Sequence, residues 1–214
     1  MPHPLLEHFV RHRLVAIVRT DSAVAALALS RAVVAGGFRL IEVTLTTPGA
    51  EQIIGELLSL KDVFVGCGTV LTPDDALRAI DWGAKFIVSP HTDPKLLATT
   101  QNAGVMAIAG ALTPTEILTA WHSGADLIKL FPVTQVGGVE YLKALRAPFP
   151  DIPLMPTGGI GEDNFLDYLE AGAAAVGLGY SLAPPQEVQS GKWGEIAARA
   201  SDWMALFHKC TTCK

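Results

Sequence analysis

A phrase of the form helix–glycine–strand returns along the whole chain: AGGFRLIEV, WGAKFIV, AGVMAIA, SGADLIKL and AGAAAVGL. It recurs about every 20 to 25 residues, the spacing of a repeated supersecondary unit. Eight short apolar runs carry the strands, at residues 14–19, 40–45, 63–70, 86–90, 106–110, 127–131, 153–159 and 174–180. Between them lie stretches with helical spacing, among them 22–35, 50–60, 73–82 and 94–103. Thr72-Pro73-Asp74-Asp75 sets a capping hydroxyl, a first-turn proline and acids in the order that a helix N-terminus prefers. Thr113-Pro114-Thr115-Glu116 repeats this order, and Asp93-Pro94 is a shorter version.

Solenoids share such periods, but here the strands are near-continuous apolar runs, as parallel strands buried on both faces require. Eight βα units in 214 residues predict an α/β fold, a (β/α)8 TIM barrel near its minimum size. A doubly wound open sheet is the alternative. No linker or low-complexity run divides the chain, so residues 1–214 read as one barrel domain. An N-terminal helix and a closing helix at 192–207 complete it.

Half of the residues are hydrophobic and 17% are charged, which excludes disorder for most of the chain. A net charge of −5 argues against a nucleic-acid partner. No apolar stretch reaches the ~18 residues of a membrane span. The first residues, MPHPLLEHFVRHR, lack the apolar core of a signal peptide. A cytoplasmic, reducing setting is expected. Three cysteines are too few for a disulfide framework. Cys67 reads as a buried thiol, and the Cys210/Cys213 C-x-x-C lacks the scaffold that a metal or redox pair needs. The six histidines show no metal-ligand spacing, so no metal and no cofactor is expected. His91, just after Pro90 at a strand's C-terminal end, is within reach of substrate, but surface placement is the preferred reading.

In so apolar a chain, charges inside strands stand out. Alternation in LIEVTLT sends Ile41, Val43 and Leu45 outward under the helices and Glu42, Thr44 and Thr46 into the barrel. In LIKLF, Ile128 and Leu130 point outward, while Lys129 points inward with Leu127 and Phe131. A buried carboxylate and a buried amine are each costly unless paired or used. A plain ion pair contributes little to stability. Taking an ammonium out of water favours its neutral form, an amine nucleophile, so Glu42 and Lys129 point to Schiff-base chemistry on a carbonyl.

Pro156-Thr157-Gly158-Gly159 ends the seventh run, and Gly177-Leu178-Gly179-Tyr180-Ser181 ends the eighth. Glycines let backbone N–H groups approach an anion, and the loops after strands seven and eight form the recurrent phosphate site of this fold. The expected ligand is a phosphorylated carbonyl compound.

These residues resemble the class I aldolases that cleave 2-keto-3-deoxy-6-phosphogluconate (KDPG), some of which also act on 4-hydroxy-2-oxoglutarate. The landmarks are LVAIVR, GGFRLIEVTL, VGCGTVLTPDDA, FIVSP, DLIKLFP, PTGGI and GLGYS, spanning residues 14–184. The resemblance implies that Lys129 forms the Schiff base and Glu42 is the general acid/base. It implies that Thr69 holds the pyruvyl carboxylate and that Pro90 and Phe131 line the pyruvyl pocket. Gly158, Gly159, Gly179 and Ser181 would bind phosphate beside Thr157, and Arg19 would meet an anionic part of the substrate. It also implies a homotrimer. Relatives acting on the gluconate compound usually carry arginine where this chain has Thr46, and often proline where it has Ala109. Threonine cannot make arginine's two-pronged contact with a carboxylate, which leaves Arg19 as the nearby cation. Phosphogalactonate aldolases also lack that arginine. Oxaloacetate decarboxylation through the same imine, a barrel that isomerises or decarboxylates a phosphorylated sugar without an imine, and a non-catalytic phosphate-binding barrel are the other readings.

Overall fold

Eight parallel strands order themselves around a common axis because each alternates between two apolar environments. The computed structural model describes residues 3–210. Helix α1 (Leu6–His12) leads into β1 (Leu14–Val18), α2 (Ala23–Ala35), β2 (Leu40–Thr44), α3 (Ala50–Leu57) and β3 (Phe64–Gly68). Then come α4 (Pro73–Asp81), β4 (Phe86–Val88), α5 (Pro94–Asn102), β5 (Met106–Ala111), α6 (Pro114–His122) and β6 (Leu127–Leu130). A 3-10 turn (Thr134–Val136), α7 (Gly138–Arg146), β7 (Leu154–Pro156), α8 (Phe165–Glu170), β8 (Val176–Leu178), α9 (Pro185–Gln189) and α10 (Trp193–Lys209) follow. Every strand pair is parallel, in the order β7-β6-β5-β4-β3-β2-β1-β8. A bridge between Thr157 and Gly177 and a 2.8 Å bond from Ala174 N–H to the Leu154 carbonyl join the two ends. The fold is a (β/α)8 TIM barrel.

Period-two alternation separates two cores. Ile41, Val43, Ile128 and Leu130 pack outward with the helices. Leu40, Phe86, Met106 and Leu127 fill the barrel interior, and α1 plugs its N-terminal mouth with Phe9. The Phe9 ring meets Phe86 edge-on at 5.0 Å. Burying such a ring stabilises by about 1.5–3 kcal/mol. On the outside, α10 lies so close to α2 that a Cβ on Gly36 would collide with Ala200 and with the Ala197 carbonyl.

The helix starts follow the capping signals. Ser22, Thr72, Asp93 and Thr113 each accept a backbone N–H of the first turn, and Thr113 with Glu116 closes a capping box. Other boundaries fall short of expectation. Helix α3 stops at Leu57 rather than at residue 60, where Ser59 Oγ takes the Glu56 carbonyl at 2.7 Å. Strand β7 stops at Pro156 because Gly158 and Gly159 turn at φ of 98° and 74°. Strand β3 ends before Thr69, which takes a left-handed φ of 59°. The 3-10 turn and α9 carry no signal recognised in the sequence. Cys213, and with it the C-x-x-C reading, lies outside the described residues. No described helix is long and apolar enough to cross a membrane.

Candidate active site

At the C-terminal end of the barrel, the interior changes from apolar to charged. Leu40 and Glu42 share the inner face of β2, and Leu127 and Lys129 share that of β6. The Glu42 side chain is fully buried, that of Lys129 is 8% exposed, and Lys129 Nζ lies 3.5 Å from Glu42 Oε1. Lys129 Nζ also sits 5.5 Å from the centre of the Phe131 ring. Among the described residues, Glu42 Oε2 has no hydrogen-bond partner despite its burial. Oε2 is therefore the carboxylate oxygen that Lys129 leaves without a protein partner.

Inner-face glycines make the room. Glu42 pairs in register with Gly66, and Thr44 with Gly68. A Cβ on Gly68 would overlap the Glu42 carboxylate. Gly110 pairs with Lys129, and a Cβ there would run into the Pro90–His91 backbone. On Gly177 it would strike Thr157, which is itself buried. Gly68, Gly110 and Gly177 therefore shape the mouth, a role not recognised in the sequence because glycine in a strand has many explanations.

At the rim, Arg19 follows β1 and reaches across β2 and β3. Its Nη1 donates to Thr46 Oγ1 at 3.3 Å, and its Nη2 to Thr69 Oγ1 at 2.8 Å. Arg19, Thr46 and Thr69, named separately from the sequence, thus form one cluster. Arg19 and Thr46 also line a pocket of about 350 Å³ with Asp21, Tyr180 and Gln189.

The two glycine-rich loops meet. Ser181 Oγ donates to the Ile160 carbonyl, tying the loop after β8 to the loop after β7. Thr134 Oγ1 donates to the Gly158 carbonyl at 3.1 Å, a contact with no sequence signal. A Cβ on Gly158 would lie 3.3 Å from the Phe131 ring, which connects this loop to the Lys129 environment. A Cβ on Gly179 would meet no protein atom within 4 Å, so the space around this part of the loop is open.

His91 is exposed, with Nδ1 2.9 Å from Ser89 Oγ. Cys67 faces the outer core, where burial first and the Glu42 charge second push its thiol up to about 12. It is inert at neutral pH.

A lysine amine and a carboxylate buried together at the C-terminal mouth of a (β/α)8 barrel are the groups that imine chemistry on a carbonyl requires. A sequence model of the KDPG and KHG aldolase family matches residues 6–199. The chain is 33% identical over 203 residues to the 2-dehydro-3-deoxy-phosphogluconate aldolase of Treponema pallidum, covering 94% of this chain and 97% of that one. It is 34% identical over 179 residues to the KHG/KDPG aldolase of Escherichia coli K12, covering 83% and 84%. Among solved structures, KDPG aldolase from Legionella pneumophila, with pyruvate captured at low pH as a covalent carbinolamine intermediate, matches with a TM-score of 0.83. The identity there is 31%, over 91% of this chain and 95% of that one. The chain belongs to the KDPG and KHG aldolase family, and it is an aldolase, hence a lyase.

Proposed function

We propose that the protein cleaves 2-keto-3-deoxy-6-phosphogluconate to pyruvate and glyceraldehyde 3-phosphate through an imine on Lys129, and that it also acts on 4-hydroxy-2-oxoglutarate. The observation that carries this reading is the 3.5 Å approach of Lys129 Nζ to Glu42 Oε1 in the buried mouth. The carbinolamine in the Legionella relative is the kind of adduct that an amine forms on a ketone before losing water.

Lys129 Nζ attacks the C2 ketone, and Glu42 transfers the protons that turn the carbinolamine into a protonated imine and water. Glu42 then removes the C4 hydroxyl proton. The C3–C4 bond breaks, its electron pair enters the imine, and the aldehyde phosphate leaves an enamine of pyruvate. Protonation at C3 and hydrolysis release pyruvate and restore Lys129. Arg19 and Thr69 take the substrate carboxylate with Thr46 beside them. Pro90 and Phe131 flank the pyruvyl group. Gly158, Gly159, Gly179 and Ser181 take the phosphate next to Thr157.

Thr46, already occupied by Arg19, supports a second substrate reading within the same chemistry, 2-keto-3-deoxy-6-phosphogalactonate. Oxaloacetate decarboxylation would pass through the same enamine. A binding barrel without catalysis gains nothing from a buried Lys129. We place the enzyme in the cytoplasm as a homotrimer, for which gel filtration should give three chain masses.

Borohydride reduction in the presence of pyruvate tests the reading. A mass increase localised to Lys129, absent in Lys129→Met, is expected. An unmodified protein would remove the imine. Cleavage rates on the gluconate and galactonate epimers then rank the two substrates.

A further inference from the structure

The rim of β2 carries three threonines, and their hydroxyls form a chain. Thr44 is fully buried on the inner face, two residues beyond Glu42, and Thr47 is 2% exposed. Thr44 Oγ1 lies 2.8 Å from Thr47 Oγ1 and 3.2 Å from Thr46 Oγ1. Thr47 Oγ1 reaches the Val18 carbonyl at 3.4 Å, at the end of β1. Beyond Thr46 stands the Arg19 guanidinium.

The two ends of this chain set its direction. A carbonyl only accepts and a guanidinium only donates, while each hydroxyl has a single proton. Thr47 spends its proton on Val18 O, so it must accept from Thr44. Thr44 must then accept from Thr46, which leaves the Thr46 lone pairs for Arg19. Every hydroxyl therefore donates inward, and the outermost oxygen is an acceptor aimed at the guanidinium. The second holder, Thr69, sits in a left-handed conformation rare for a β-branched residue. Such strain persists where the surrounding structure enforces it. Because Thr69 Oγ1 accepts from Arg19, its own proton is free to face a ligand.

We propose that Thr44 is a positioning residue: the one-directional Thr46–Thr44–Thr47 hydroxyl chain holds Arg19 over the mouth, where it meets the carboxylate of the 2-keto acid. This rests on the reading of Arg19 as the carboxylate contact. An exposed arginine without such a tether spreads over many rotamers and binds an anion less well.

The probe is pyruvate, and the readout is its half-saturating concentration for borohydride trapping at Lys129. Thr44→Val keeps the shape of the side chain and removes the hydroxyl. It should raise that concentration about tenfold with little change in the maximal trapping rate. Thr44→Ser should restore it. Arg19→Gln should raise it at least as much, and the Arg19→Gln/Thr44→Val double variant should add nothing further. Wild-type behaviour of Thr44→Val, an equal defect in Thr44→Ser, or additive effects in the double variant would overturn the proposal and leave the Arg19 reading standing. An unchanged value in Arg19→Gln alone would remove that reading and the proposal together. If Thr44→Val does not fold, Thr47→Val breaks the same chain at its buried end, with Thr47→Ser as its rescue and the same outcomes decisive.

Discussion

The two mouths of the barrel are built on the same strands and the same inward face, yet they are chemically opposite. At the N-terminal mouth, Leu40, Phe86 and Leu127 are sealed by Phe9 from α1. Two residues further along β2 and β6, the inward positions are Glu42 and Lys129, with glycines opposite in place of apolar side chains. One end gains stability by filling space, and the other keeps space and charge at a cost in stability. Division of labour along one strand lets a barrel of 214 residues hold a buried charged site.

Changes at each end should separate activity from stability. The largest effect is expected for Lys129→Met, which should abolish borohydride trapping and turnover, while circular dichroism still reports a folded barrel. Glu42→Gln should lower turnover by about 10²- to 10⁴-fold, yet still give slow trapping of pyruvate on Lys129 by mass. Near-wild-type activity in both variants would break the distinction between the ends.

At the other mouth, Phe9→Ala should cost about 3–5 kcal/mol in denaturant unfolding. Turnover per folded molecule should hold, because Phe9 belongs to the apolar plug at the opposite mouth. A selective loss of turnover would show the two ends to be coupled.

The smallest effect concerns the scaffold of the C-terminal rim. Backbone N–H groups of Thr113, then Leu112, hold the Glu116 carboxyl below its usual range. Because the folded value is depressed, this cap contributes fully above the ordinary value of about 4.5 and is lost as pH falls through the lowered one. Acid titration of stability should therefore show a slightly shallower decline below that pH for Glu116→Gln, with no change in turnover near neutrality.

Much of the scaffold was legible because its signals are local. The inward direction of Glu42 and Lys129 follows from alternation, and the start of α6 follows from Thr113 and Glu116. The shape of the mouth was not legible. Gly68 gives no local sign that it stands aside for Glu42, and Thr134 gives none that it will hold the Gly158 loop. Thr46 looked like a lost arginine, whereas folding places it between Thr44 and an arginine from another strand.

The sequence by itself determined the repeat, the caps and the face on which each strand residue lies, because these depend on neighbours a few residues away. Only the tertiary structure decided that Lys129 Nζ and Glu42 Oε1, 87 positions apart, stand 3.5 Å from each other. It also decided that Arg19 is shared by Thr46 and Thr69. Closing the sheet brings strands four places apart to face each other across the interior, and the stagger of the whole ring sets the distance between them.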